Sequence, residues 1–319
     1  MASKHSKNIF DFRKNVLLAP TTPRSKDDSS ATLPIKIIMG VLIASLVLSL
    51  VVVGREFLPG VAHKNMLKKA SATFWSTNSK DGLDLLAKKN PDIKAWLKIE
   101  ESPIDYAVCQ GKDDKYYTNH NQRGARSRYG ALMFSSSDDI TRAGGDKNLV
   151  IFGNNMKDGS MFGSLKEYRK IEFYRQHPVI NLYSAGQKEN YAVFAVMLLS
   201  ATDNGDGYYQ PNKSYFLNRE DFDKWYDEGC ARSLISTPVE AEYGDDILTL
   251  VTVASDFEGA RLVVMAKKVD DWTAERIDTT AATVNSNIKY PPIWYEQKGL
   301  DYPHQTTRKG NKNGSKLKS

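Results

Sequence analysis

The run Ile247-Leu248-Thr249-Leu250-Val251-Thr252-Val253-Ala254-Ser255-Asp256-Phe257, with Arg261 shortly beyond it, sets the reading of this chain. Its first eight residues are apolar or Thr and predict a strand, followed by a turn and a closing strand from Arg261 to Val269. Side chains two apart on a strand point to the same side, so Val251 and Val253 share one face, and that face is apolar. Thr252 points the other way.

A second run, Ile151-Phe152-Gly153-Asn154-Asn155-Met156-Lys157-Asp158-Gly159-Ser160-Met161-Phe162, carries a strand from Asn148 to Gly153 into a polar turn. Working outward, short β-type runs begin after Asn90. Ala95 to Ile99 and Ile104 to Cys109 are joined by Glu101-Ser102-Pro103, and Ala131 to Ser135 follows. Val179 to Tyr183 precedes Tyr191 to Ser200, a long apolar run suited to a strand buried on both faces. Two stretches predict helix: Met161 to Arg175, with Phe162, Leu165, Tyr168 and Ile171 or Phe173 on one face, and the charged stretch Tyr215 to Cys230. The pattern is mainly β, a small barrel of about eight strands decorated by helices.

Ahead of the barrel, Ile37 to Gly54 is apolar and uncharged, long enough to span a bilayer and bracketed by Lys36 and Arg55. Lys and Arg outnumber Asp upstream of it, which predicts a cytoplasmic N-terminus and an external C-terminal bulk. A cleaved signal peptide is the competing reading. Its basic region would be unusually long and no small-x-small cleavage site follows, so an uncleaved anchor is expected. Helix-like content over His63 to Phe74 and Gly82 to Lys89 predicts a stalk, broken near Ser76-Thr77-Asn78-Ser79.

The net charge of +6 concentrates at the two ends. Arg308, Lys309, Lys312, Lys316 and Lys318 crowd a tail expected to be solvated and disordered; a functional version would bind anionic wall polymers or lipid headgroups. The basic residues are not interleaved with aromatics on a recognisable binding module, so nucleic acid is excluded as a partner. The two cysteines, Cys109 and Cys230, are permitted by an external compartment to pair, and the sequence leaves that open. No CxxC or His/Cys/Asp cluster has metal-ligand spacing, and no cofactor is expected.

From Asn90 to Val269 the chain resembles the class B sortases, cysteine transpeptidases of Gram-positive cell walls and pili. The ordered matches include Asn90-Pro91-Asp92-Ile93 with Trp96-Leu97, Ile104-Asp105-Tyr106 with Gln110-Gly111, Tyr116-Tyr117 with Asn119-His120, and Phe173-Tyr174 with His177-Pro178. The resemblance implies an eight-stranded sortase-type β-barrel with N-terminal helices and a helix inserted before the penultimate strand, preceded by one transmembrane helix. The resulting partition is a cytoplasmic segment 1–36, an anchor 37–57, a helical stalk 58–89, the barrel domain 90–269 and a C-terminal extension 270–319.

The family's two active-site segments read G-H-N-M and T-L-S-T-C. Here Asn154 stands at the histidine position and Val253 at the cysteine position, while Arg261 matches the family's arginine. The family's reaction needs a thiolate to attack a carbonyl carbon, a histidine to move protons and an arginine to hold the oxyanion or the peptide. A valine offers methyl groups alone, and an amide does not titrate near neutral pH. Val251 and Ala254 also depart from the small hydroxyl and polar residues usual there. Asn154, Val251, Val253, Ala254 and Arg261 are the expected groove residues, with no catalytic residue expected to function. Arg261 admits two readings, a peptide-binding donor or a strand-end partner of Asp256 or Glu258.

The expected function is therefore a catalytically inactive, sortase-like membrane protein that binds or scaffolds a sorting-signal peptide, a pilin or wall protein, or an active sortase. One alternative is an atypical transpeptidase with a displaced nucleophile such as Cys109 or Ser255. Another is a structural envelope module that binds no peptide. The aromatic segment Ile288 to Tyr302 is expected to pack along the barrel and over the groove.

Overall fold

The computed structural model describes residues 28–140, 147–202 and 208–303 of the 319-residue chain. The basic tail, His304 and the first 27 residues lie outside the described residues. The chain divides into two compact units, Met1–Ala62 and His63–Ser319.

Helix α1 is Asp28–Trp75. Within Pro34–Trp75 an 18-residue window reaches a mean hydropathy of 2.8, with none of it buried, so this helix is long and apolar enough to cross a membrane. From His63 onward α1 belongs to the second unit, where Met66, Leu67, Ala70 and Phe74 are buried. Helix α2 (Ser79–Ala87) is capped by Asn78, whose side chain accepts from Asp81 N at 3.0 Å. The break between the two helices falls where the Ser/Thr/Asn stretch placed it.

The strands are β1 (Ile93–Lys98), β2 (Asp105–Cys109), β3 (Leu132–Phe134), β4 (Asn148–Phe152), β5 (Val179–Ser184), β6 (Gln187–Ser200), β7 (Ile235–Ser236), β8 (Ile247–Val253), β9 (Ala260–Val269) and β10 (Thr283–Val284). Eight of them close a barrel in the order β1-β2-β3-β4-β8-β9-β6-β5, as expected, and β7 pairs with β10 in a small separate sheet. Alternation sorts each strand between two environments. On β9, Leu262, Val264 and Ala266 fill the barrel interior, while Val263 and Met265 point outward under the helices. The alternation slips on β6, where Val193 faces inward, Phe194 and Ala195 outward and Val196 inward. A register shift between Val193 and Ala195 accounts for the slip, because an extra residue inverts the parity of everything after it.

Two helical expectations are corrected. Met161 to Arg175 is not one helix but a 3₁₀ turn over Leu165–Arg169, an extended Lys170 (φ −99°, ψ 127°) and helix α3, Ile171–Gln176. Phe162, Leu165, Tyr168 and Ile171 recur at intervals of three and are all buried. That is the period of a 3₁₀ helix rather than of an α-helix. The inserted helix α4 is Arg219–Arg232, not Tyr215 to Cys230. It starts where the Asn218 side chain accepts from Asp221 N at 2.9 Å. Phe222 and Trp225 of α4 pack on the outward residues of β6 and β9.

Beyond the barrel come α5 (Asp271–Ala274) and α6 (Pro292–Gln297). Both Cys109 and Cys230 are free thiols.

Candidate functional site

Three neighbouring strands build the site. β4 and β8 run parallel with Phe152 opposite Val251, and β8 and β9 run antiparallel with Val253 opposite Arg261. The loop leaving β4 is tied to the end of β8 by three bonds. Gly153 N donates to Val251 O at 3.1 Å, the Thr252 hydroxyl donates to Gly153 O at 2.7 Å, and Asn155 Nδ2 donates to Val253 O at 2.8 Å.

The result is a cleft of about 220 Å³. Ala131, Met133, Phe152 and Val251 give it an apolar floor, and Asp114, Thr118, Gly153, Asn154, Thr252, Val253 and Arg261 complete the lining, Thr252 included although its parity is opposite to that of Val253. The floor belongs to the outer wall of the barrel: Val251 packs with the outward cluster, whereas Leu250 beside it fills the interior. Val253 is 52% exposed, a methyl-bearing side chain presented to whatever occupies the cleft.

Asn154 is held by its own amide. Its Nδ2 donates to Thr118 O at 2.8 Å and, at 3.5 Å, to Arg128 O. Gly130 makes room for this contact. Its φ is +64°, and a Cβ there would lie 2.5 Å from Tyr117 O and 2.9 Å from Asn154 Nδ2. Nδ2 thus points at the loop that precedes β3.

Arg261 donates to two carbonyls of its own segment, Gly259 O at 3.2 Å and Ala260 O at 3.0 Å. The expected partner Asp256 is taken instead by Arg169, through bonds of 3.1 and 2.8 Å. No carboxylate among the described residues forms an ion pair with Arg261, so the strand-end pairing with Asp256 or Glu258 is not what holds it. Asp114, the acid in the lining, accepts from Ser136 N at 2.6 Å.

Of the five groove candidates, Asn154, Val251, Val253 and Arg261 converge on the cleft. Ala254 does not line it. It packs against the interior cluster, on the opposite parity from Val253. Ser255 is exposed beyond the end of β8 and lies outside the lining. Cys109 is wholly buried under α1 and α2, and burial pushes its thiol up to about 12. Among the described residues no histidine lines the cleft. His120 stacks on Tyr116 at 4.0 Å, and His63 is buried against Tyr129 at 4.2 Å.

Sequence reasoning missed Asp114 and Thr118, which reach the cleft from a loop with no periodic signal of its own. It also set the aromatic C-terminal segment too close. Ile288 and Tyr290 pack against the barrel core, yet none of the described residues beyond Arg261 lines the cleft. Among the described residues no group of three or more His, Cys, Asp or Glu side chains is placed to hold a metal ion.

No family model matches the chain. Sortase B of Listeria monocytogenes is 32% identical over 206 residues, covering 63% of this chain and 80% of that protein. The crystal structure of Clostridium perfringens sortase B is 33% identical, with a TM-score of 0.54 over 59% of this chain and 99% of that one. A Staphylococcus aureus sortase B–substrate complex shares the fold at a TM-score of 0.60 and 24% identity, over 67% and 99% of the two chains. A third of the residues shared over most of the Listeria protein, on the same closed barrel, place the relationship beyond fold alone: the chain belongs to the sortase B family.

Proposed function

We propose that this protein is a membrane-anchored sortase B homologue that no longer catalyses transpeptidation and uses its cleft to hold a sorting-signal peptide. In this reading the N-terminus is cytoplasmic, the barrel is extracellular, and the physiological partner is a pilin or wall protein, or an active sortase that handles the same substrate. The observation that carries it is the composition of the cleft. Among the described residues its lining contains no thiol and no imidazole, and Val253 and Asn154 stand where the family resemblance puts the nucleophile and the proton carrier.

Chemistry supports the loss. Without an attacking sulfur no acyl-enzyme forms, and removing the nucleophile of such a constellation leaves only residual effects of about 10³–10⁴ over water. A displaced nucleophile gains nothing from Cys109, since a thiol with a pKa near 12 carries almost no thiolate at neutral pH.

Chemistry also supports retained binding. The apolar floor of Met133, Phe152 and Val251 accepts a side chain, and the Arg261 guanidinium beside it presents further N–H donors to a peptide carbonyl or carboxylate. A staphylococcal sortase B of the same fold is known as a substrate complex, in line with a peptide ligand here.

The test is mass spectrometry of the full chain in detergent incubated with NPQTN-type peptides and an amine acceptor, with the Asn154→His/Val253→Cys variant alongside. Binding without cleavage by the natural sequence, and cleavage by the double variant, is the expected result. Cleavage by the natural sequence would overturn the proposal.

A further inference from the structure

Away from the cleft, a second concave site collects positive charge with no acid to balance it. Lys69 of α1, Lys89 just after α2 and Arg123 of the loop following the 3₁₀ turn Tyr116–Thr118 line one small cleft, whose floor is Ala70, Leu86 and Ile93. Elsewhere Lys98, Lys147, Lys213, Lys267, Lys268 and Lys289 each meet a carboxylate. Among the described residues Lys69, Lys89 and Arg123 meet none, and no carboxylate lines their cleft. Three like charges facing one hollow repel one another and favour an anion between them.

The site is also built rather than accidental. Asn90 donates from Nδ2 to Gln122 O at 3.0 Å and to the Tyr117 hydroxyl at 2.8 Å, which pins the loop to the junction of α2 and β1. Arg123 N then donates to Asn121 Oδ1 at 2.9 Å, fixing the backbone that carries the guanidinium. Gln122 lines the cleft and is only 4% exposed, and its carbonyl is the acceptor that Asn90 uses.

We propose that this cleft binds a phosphate group, esterified or free. Cations arriving from α1, α2 and the loop suit a tetrahedral oxyanion with several free oxygens better than a planar carboxylate. The hollow measures about 20 Å³, room for one oxygen-sized group at the bottom. The phosphate lies across the mouth of the hollow, where the flexible Lys69, Lys89 and Arg123 side chains close on its oxygens, and any ester substituent leaves toward solvent. Such a ligand is a headgroup or an anionic polymer repeat, or free phosphate itself.

Titration calorimetry of the full chain in neutral maltoside micelles separates these sources, using inorganic phosphate and glycerophosphoglycerol as probes. Binding of the diester assigns the site to a headgroup or polymer. Binding of inorganic phosphate alone assigns it to the free ion, and either result supports the site. The Lys69→Gln/Arg123→Gln variant should bind roughly tenfold more weakly or worse. The Lys68→Gln/Lys88→Gln variant removes the same charge from exposed positions outside the lining and should bind within about twofold of the natural chain. All the substituted side chains are exposed, and matched thermal melts will verify folding. No binding of either probe, or equal weakening by both variants, overturns the proposal.

Discussion

Val253 faces Arg261 directly across the antiparallel β8–β9 pair, and both side chains line the cleft. Residues opposite each other in such a pair lie about 4.5–5.5 Å apart at Cα, so any group at position 253 works beside a guanidinium. A thiol there would be accessible and electrostatically activated. Val253→Cys is therefore expected to react with iodoacetamide within minutes at neutral pH, while Cys109 of the natural chain stays unmodified in the folded state. Timed intact-mass measurement checks both halves. Rapid modification of Cys109 in the folded natural protein would contradict its burial and reopen the displaced-nucleophile reading.

The contact between Asn154 and the Thr118 carbonyl depends on a glycine one loop away. Asn154→Ala removes two partly exposed hydrogen bonds, one of them long, and should cost about 1 kcal/mol. Gly130→Ala should cost more, about 2–4 kcal/mol, because it forces a Cβ into a left-handed conformation and against Tyr117 O. Urea unfolding of the two variants measures the difference. A neutral Gly130→Ala would show that the loop is not held as described.

Burial also sets the alkaline limit of the fold. Desolvation pushes the hydroxyls of Tyr106, Tyr174 and Tyr183, and the thiol of Cys109, up to about 12. Unfolded, the tyrosines titrate near 10 and the cysteine near 9. Between pH 9 and 12 the unfolded chain has therefore lost protons that the folded chain keeps. The unfolded state binds fewer protons, so stability falls as pH rises through this window and is fully present below pH 9. Tyrosinate absorbance at 295 nm should rise together with the loss of near-UV circular dichroism. Full tyrosinate signal from a still-folded protein at pH 11 would refute the assignment.

How much of this was legible in the residues follows from what each signal encodes. Val251 and Val253 share a face because strand period is a property of sequence, and their adjacency to Arg261 followed from two strands joined by a short turn. The same rule placed Ala254 wrongly only because it was grouped with its neighbours instead of being assigned by parity. The 3₁₀ turn at Leu165–Arg169 was readable in the interval of three between Phe162, Leu165, Tyr168 and Ile171, yet a helical period was assumed. Asp114 and Thr118 were not readable at all. Their place in the cleft depends on a loop whose path is set by Asn90, Tyr117 and Gly130, contacts between segments far apart in sequence.

The segment after the barrel is expected to matter for stability and not for access to the cleft. Asn285 N donates to Leu234 O at 3.0 Å and its side chain to Ser233 O at 2.8 Å. Lys289 N donates to Ala231 O at 2.8 Å, and its ammonium meets Glu228 of α4. Ile288 and Tyr290 cover part of the barrel core, Tyr290 stacks on Trp294 at 4.0 Å, and Tyr295 is 9% exposed. Uncovering these apolar side chains and breaking the bonds to the end of α4 should cost about 3 kcal/mol or more. For a unit of this size that lowers Tm by roughly 6–12 °C. Truncation before Asn285 in the full chain, followed by calorimetry, checks the loss. The same variant should label at Val253→Cys no faster than the intact chain, because the removed described residues do not line the cleft. Faster labelling would mean that the segment shields the groove after all.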